Sequence, residues 1–120
     1  MIKGIGIDLI ELDRVAKQIH QDAFINRVLT EKERKQFDML SDKRKLEFLA
    51  GRFSAKEAYA KACGTGIGKS VSFQDLTIIN DSLGRPLLED RTSSGDTVHV
   101  SITHTDHTAA AFVIIESLSC

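Results

Sequence analysis

The stretch DKRKLEFLAGRFSAKEAYAKAC, Asp42 to Cys63, constrains the chain more than any other. Leu46, Leu49, Phe53 and Ala60 recur at spacings of three, four and seven, no proline interrupts and Gly51 is the one glycine, so the pattern predicts a long helix. Gly64 is its natural stop, because glycine tolerates the left-handed conformation that closes a helix. The residues around that stop, KACGTGIGKS, look like a nucleotide-binding P-loop. The pattern G-x-x-x-x-G-K-[ST] fails, since counting back from Gly68-Lys69-Ser70 reaches Cys63 and not a glycine. The order fails too: Val71 to Asn80 reads as a strand, which gives helix, glycine loop, strand, the reverse of a P-loop. Two readings of the loop stay open, a nest of backbone N–H groups for an anion and a plain helix end with a tight turn.

The remaining elements are short. Ile5, Ile7 and Leu9 alternate with Gly4, Gly6 and Asp8, the period of a half-buried strand, with Asp8 on the face opposite the aliphatics. A helix is expected from near Asp13, and Thr30-Glu31-Lys32-Glu33 is a capping box that starts another. Asp81 to Pro86 reads as a turn. TVHVSITH and AAAFVII read as a hairpin in which Val98, Val100 and Ile102 alternate with His99, Ser101 and Thr103. Residues 1–120 therefore read as one α+β domain, a long central helix packed on a small antiparallel sheet.

Composition limits what such a domain does. Hydrophobic residues at 42% and charged residues at 28% are ordinary for a folded chain, and the formal charge of −1 gives no basic field for nucleic acid or an anionic membrane. Any phosphate site must be local. The start carries Asp8 and Glu11 inside its apolar run, unlike a signal peptide, and no stretch approaches the roughly 18 apolar residues of a membrane span. Cys63 and Cys120 form no disulfide framework, so a reducing cytoplasm is the economical location.

The chemistry-bearing residues cluster on the long helix. At about 100° per residue, Arg52 and Lys56 share one side, as do Glu57 and Lys61, so three cations and a carboxylate line a broad polar side. A solvated helix face is the ordinary reading of such a pattern. The glycine loop at the same end and the isolated Asp8 beside Gly4 and Gly6 point elsewhere: Asp8 and Glu57 can hold Mg²⁺ together with substrate phosphate oxygens, while Arg and Lys meet the remaining charge.

GIGIDLIE, FLAGRFSAKEAYAKACGTGIG and VSITHT, in this order and spacing, resemble the three signature regions of the holo-acyl-carrier-protein synthase family, the small bacterial phosphopantetheinyl transferases. The middle motif is matched at Phe53, Lys56, Glu57, Ala58 and Lys61. The resemblance implies transfer of the 4′-phosphopantetheine arm of coenzyme A to a serine of apo acyl carrier protein, with release of adenosine 3′,5′-bisphosphate, for fatty acid biosynthesis. It assigns Mg²⁺ to Asp8 and Glu57 and the pyrophosphate to Lys61. The rest of the coenzyme A site is Arg52, Lys56, Gly64, Gly66, Gly68, His104 and Thr105. The nucleophile is the partner's serine, and its proton goes either to Glu57 or to a metal-bound water. Homotrimers with shared sites are implied, and a carrier protein docked on Arg14, Lys17 and Arg27.

A noncatalytic module that binds coenzyme A or another adenine nucleotide is the rival, and Asp8 discriminates, since a plain phosphate binder has no use for an extra acid. His99 and His104 differ by five and point to opposite faces of a regular strand, which argues against zinc. GIGID lacks the third glycine of a dinucleotide fingerprint, and Cys63 has no adjacent histidine to activate it.

Overall fold

A computed structural model describes residues 1–93 and 95–117. The second cysteine, Cys120, lies outside the described residues. Strand β1 (Ile2–Glu11) leads into the helices α1 (Leu12–Ala16), α2 (Asp22–Val28), α3 (Glu31–Asp38) and α4 (Asp42–Ala62). Strands β2 (Leu76–Asn80), β3 (Pro86–Asp90), β4 (Asp96–His104) and β5 (Thr108–Ser117) follow. The expected antiparallel sheet is in two parts: β1, β5 and β4 in that order, and a separate β2–β3 hairpin.

α4 crosses the three-stranded sheet as the spine of the molecule, and the contact is made by absent side chains. A methyl group on Gly6 would stand 1.8 Å from the Ala58 carbonyl oxygen, and one on Gly4 would stand 2.0 Å from that of Ala62. Helix and strand backbones therefore touch. Ala109, Ala111, Val113 and Ile115 of β5 bury against the same helix. Ile5, Ile7 and Leu9 of β1 face the other way, at 58%, 64% and 65% exposed. They pair with Phe112 and Ile114 of β5, so one apolar stripe lies open on the outer face of the sheet.

The core has two parts. Leu12, Val15, Ile25, Val28, Phe37 and Leu49 pack the short helices onto the first half of α4. Tyr59, Leu76, Ile78 and Leu88 join its second half to both sheets. The capping box at Thr30 and Glu33 forms as expected, and α4 ends at Cys63 with Gly64 at φ +83°. Two boundaries differ from the sequence reading. The predicted strand from Val71 starts only at Leu76, because Phe73–Asp75 form a 3₁₀ turn in which the Asp75 carboxylate accepts from the Ser72 N–H. α1 starts at Leu12, so Asp13 lies in its first turn and does not cap it.

Candidate active site

Asp8 emerges from the middle of β1 just past the two glycines, on the face that meets α4. Ser54, one of the fully buried polar residues of α4, has its hydroxyl 3.0 Å from the Asp8 carbonyl oxygen and 3.1 Å from Oδ2. Lys61, two turns further along the helix, donates to Asp8 Oδ1 at 3.1 Å and to the Ile7 carbonyl at 3.2 Å. Glu57 lies between these positions on the same helix. Burial raises its carboxyl pKa first and the charge of Asp8 raises it further, while Lys61 and Arg27 pull it back. Asp8, Glu57 and Lys61 thus form one electrostatic unit, as the spacing predicts. Ser54 was missed; its place three residues before Glu57 was the available signal.

Arg27, expected on the docking surface with Arg14 and Lys17, lies on α2 and joins this unit. It sits in the last turn of α2 with its guanidinium 5.6 Å from the centre of the Phe73 ring. With Ile67, Gly68, Ser72, Phe73 and Gln74 it lines a hollow of about 280 Å³ at the glycine loop. Arg14 and Lys17 are exposed on α1 and its cap, away from the core.

Two of the expected cations are elsewhere. Lys56 is fully buried, and its ammonium donates to Glu33 Oε1, the Val28 carbonyl and the Phe73 carbonyl, which leaves no proton for a phosphate. Arg52 is also buried, stacked 4.1 Å over the Phe48 ring and donating to the Ile78 carbonyl. The broad polar side of α4 is therefore narrower than its helical spacing suggests. Only Glu57 and Lys61 of the four face the ligand side; the other two serve the core.

The loop corrects the anion-nest reading in part. The amides of Thr65 and Gly66 both donate to the Ala60 carbonyl, Gly64 donates to Lys61 and Gly68 to Val71. The first three of these N–H groups close the helix, and that of Gly68 is spent within the loop. What the loop leaves to a ligand is open space, since nothing lies within 4 Å of where a side chain would begin at Gly64, Gly66 or Gly68.

His104 and Thr105 are not brought to this cluster within one chain. His104 Nδ1 lies 3.7 Å from Glu47 Oε2, beside a hollow of about 460 Å³ lined by Gln36, Arg44, Phe48 and Asn80. Glu47 precedes Glu57 by ten residues, about 15 Å along a helix. The Thr105 hydroxyl accepts from the amides of His107 and Thr108 and so braces the β4–β5 turn.

The donor set suits a hard cation. Among the described residues no three His, Cys, Asp or Glu side chains converge, whereas Asp8 and Glu57 bring two carboxylates together next to open space. Two carboxylates with the remaining positions left to substrate oxygens and water is the way Mg²⁺ is commonly held.

Known proteins share both sequence and fold. Holo-[acyl-carrier-protein] synthases of Bacillus velezensis and Listeria welshimeri are 58% and 59% identical over 120 and 117 residues, covering 99% and 97% of this chain and 99% of each relative. The crystal structure of a holo-(acyl-carrier-protein) synthase from Bacillus anthracis, in complex with CoA (3′,5′-ADP), superposes with a TM-score of 0.92 at 52% identity over 98% of both chains. The family model described as the 4′-phosphopantetheinyl transferase superfamily matches residues 4–113, and the chain belongs to that superfamily.

Proposed function

We propose that this chain transfers the 4′-phosphopantetheine arm of coenzyme A to a serine of apo acyl carrier protein and releases adenosine 3′,5′-bisphosphate. The observation that carries the reading is the union of Asp8, Glu57 and Lys61 at the junction of β1 and α4, beside the open glycine loop. A binding module for coenzyme A needs cations there; it does not need two acids. The relatives named above, and the coenzyme A complex of one of them, support the substrates.

In the transfer, the carrier's serine oxygen forms a bond to the β-phosphorus and the bridging oxygen leaves with the adenosine bisphosphate. The serine proton goes either to Glu57 or to a water on the metal that Glu57 and Asp8 would hold. Lys61 turns from Asp8 towards the pyrophosphate and stabilises the charge that gathers on its oxygens. Ser54 keeps Asp8 in place while Lys61 is drawn away. Asp8 and Glu57 would hold Mg²⁺, which when bound neutralises pyrophosphate charge and orients it.

The working form is a homotrimer. The open stripe of Ile5, Ile7, Leu9 and Phe112 is more apolar surface than a soluble monomer usually leaves uncovered, and His104, remote from its own Glu57, is available to a neighbour's site. Arg14 and Lys17 form the landing patch for the acidic carrier. The setting is the cytoplasm and fatty acid biosynthesis; no described helix is long and apolar enough to cross a membrane. The test is the mass of purified apo carrier protein before and after incubation with this chain, Mg²⁺ and coenzyme A. A gain of one phosphopantetheine group is expected, and an unchanged mass with an active control enzyme overturns the reading.

A further inference from the structure

Lys56 has no part in the transfer just described, yet it is fully buried with all three of its protons engaged. Its Nζ lies 2.6 Å from Glu33 Oε1, 2.7 Å from the Val28 carbonyl and 3.2 Å from the Phe73 carbonyl. Glu33 in turn accepts from the backbone N–H of Thr30 and, through Oε2, from that of Ile78, each at 2.9 Å. One buried ion pair therefore joins α4 to the end of α2, the start of α3, the 3₁₀ turn and β2. Such pairs add little stability over an apolar replacement of the same volume, so stability alone is a weak account of this one.

The carbonyls it holds suggest another account. Val28 follows Arg27 directly, and Phe73 carries the ring against which the Arg27 guanidinium rests. From the solvent side Gln74 donates to the carbonyls of Asn26 at 2.7 Å and Leu29 at 2.9 Å. The turn bearing Arg27 is thus clamped to Phe73 and Gln74 from within and from without. Arg27 and Phe73 together form one wall of the hollow at the glycine loop.

We propose that Lys56, through its buried pair with Glu33, is a positioning residue that holds the Arg27–Phe73 wall in place for the phosphate groups of coenzyme A. The proposal rests on the transferase reading. Lys56 never meets the ligand; it acts through Arg27. An ammonium suits the task because its protons fix carbonyls from two separate elements and a carboxylate from a third, whereas an apolar side chain of equal volume would let them shift independently.

The test compares Arg27→Ala with Glu33→Gln/Lys56→Met, which removes both charges without stranding either, and with the triple variant. Coenzyme A affinity is measured by titration calorimetry with Mg²⁺, and KM and kcat are measured well below the melting temperature. Removing the pair is expected to weaken coenzyme A binding about tenfold and to raise its KM alike with kcat nearly unchanged, the scale of coupling within one network. In the Arg27→Ala background the same change should weaken binding less than about twofold. A folded Glu33→Gln/Lys56→Met protein that binds as the wild type overturns the proposal, as does an equal loss in both backgrounds. If that variant does not fold, Gln74→Ala loosens the clamp from outside and must show the same dependence on Arg27; independent losses there overturn the proposal equally. A wild-type chain that binds no coenzyme A overturns the transferase reading itself, and the proposal with it.

Discussion

Lys61 Nζ stands 3.1 Å from Asp8 Oδ1, so one ammonium fastens the last turn of α4 to the middle of β1. In the proposed transfer, an entering pyrophosphate competes with Asp8 for that ammonium. The Lys61 side chain is 53% exposed, so its loss bears on the ligand more than on the fold. Lys61→Met is expected to lower kcat/KM by at least about 100-fold, the scale of removing one group that stabilises transition-state charge. Its melting temperature should move by less than roughly 3 °C. Steady-state kinetics and a thermal melt on one preparation check both halves.

Glu57 works against the stability of the ligand-free protein. Its pKa is raised above the ordinary 4.5, by burial first and by Asp8 second. The folded state then binds the proton more tightly than the unfolded state, and stability falls as pH rises from 4.5 through the raised value. Glu57→Gln removes that dependence. In EDTA at neutral pH its melting temperature should exceed that of the wild type by roughly 1–3 °C, with the excess vanishing below about pH 4. Turnover should collapse. A Glu57→Gln protein that is less stable than the wild type in EDTA at neutral pH contradicts this account.

Gly6→Ala tests the closeness of β1 and α4. Its methyl would lie 1.8 Å from the Ala58 carbonyl oxygen, a backbone atom that cannot swing aside. A loss of about 3 kcal/mol or more is expected in urea unfolding, at the upper end for overpacking a core. Gly68→Ala, with no atom within 4 Å and no left-handed φ, serves as the control and should stay near wild type.

Ile7→Lys places a charge in the exposed aliphatic stripe without touching the core. Light scattering is expected to show the proposed trimer replaced by monomer, with circular dichroism preserved and activity lost. An active monomer would remove the case for shared sites.

Arg14→Glu addresses docking. Reversal of an exposed charge at an interface rim changes association rate and its salt dependence more than the chemistry. KM for the carrier protein should rise by roughly tenfold at low salt and lose much of its salt dependence, while KM for coenzyme A stays nearly constant. Equal shifts in both would move the docking surface elsewhere.

What could be read from sequence follows the physics of each signal. The long helix and its stop at Gly64 were legible because helix formers, apolar spacing and a terminal glycine all agree. α2 and β3 were not, being seven and five residues long and held by tertiary contacts more than by pattern. Asp8, Glu57 and Lys61 were legible from the middle motif and from the isolation of Asp8 between apolar neighbours. Arg52 and Lys56 misled because helical spacing says which residues share a side, not whether another element covers it; Glu33, which neutralises Lys56, lies 23 positions earlier. The place of His104 needed the fold for a related reason. A motif gathers residues along the chain, and only the fold shows that this one faces Glu47.

The two faces of β1 also make mispairing self-defeating. A slip of one residue against β5 would exchange the faces, turning Asp8 out to solvent and driving Ile5 and Ile7 at the backbone of α4. That helix leaves no room for even a methyl group at the two glycine positions, so the slipped chain cannot close. Steric exclusion rejects the slipped pairing, with no need for the Asp8 carboxylate itself to contribute to the choice. Every molecule that completes its core does so with Asp8 already under Ser54 and Lys61.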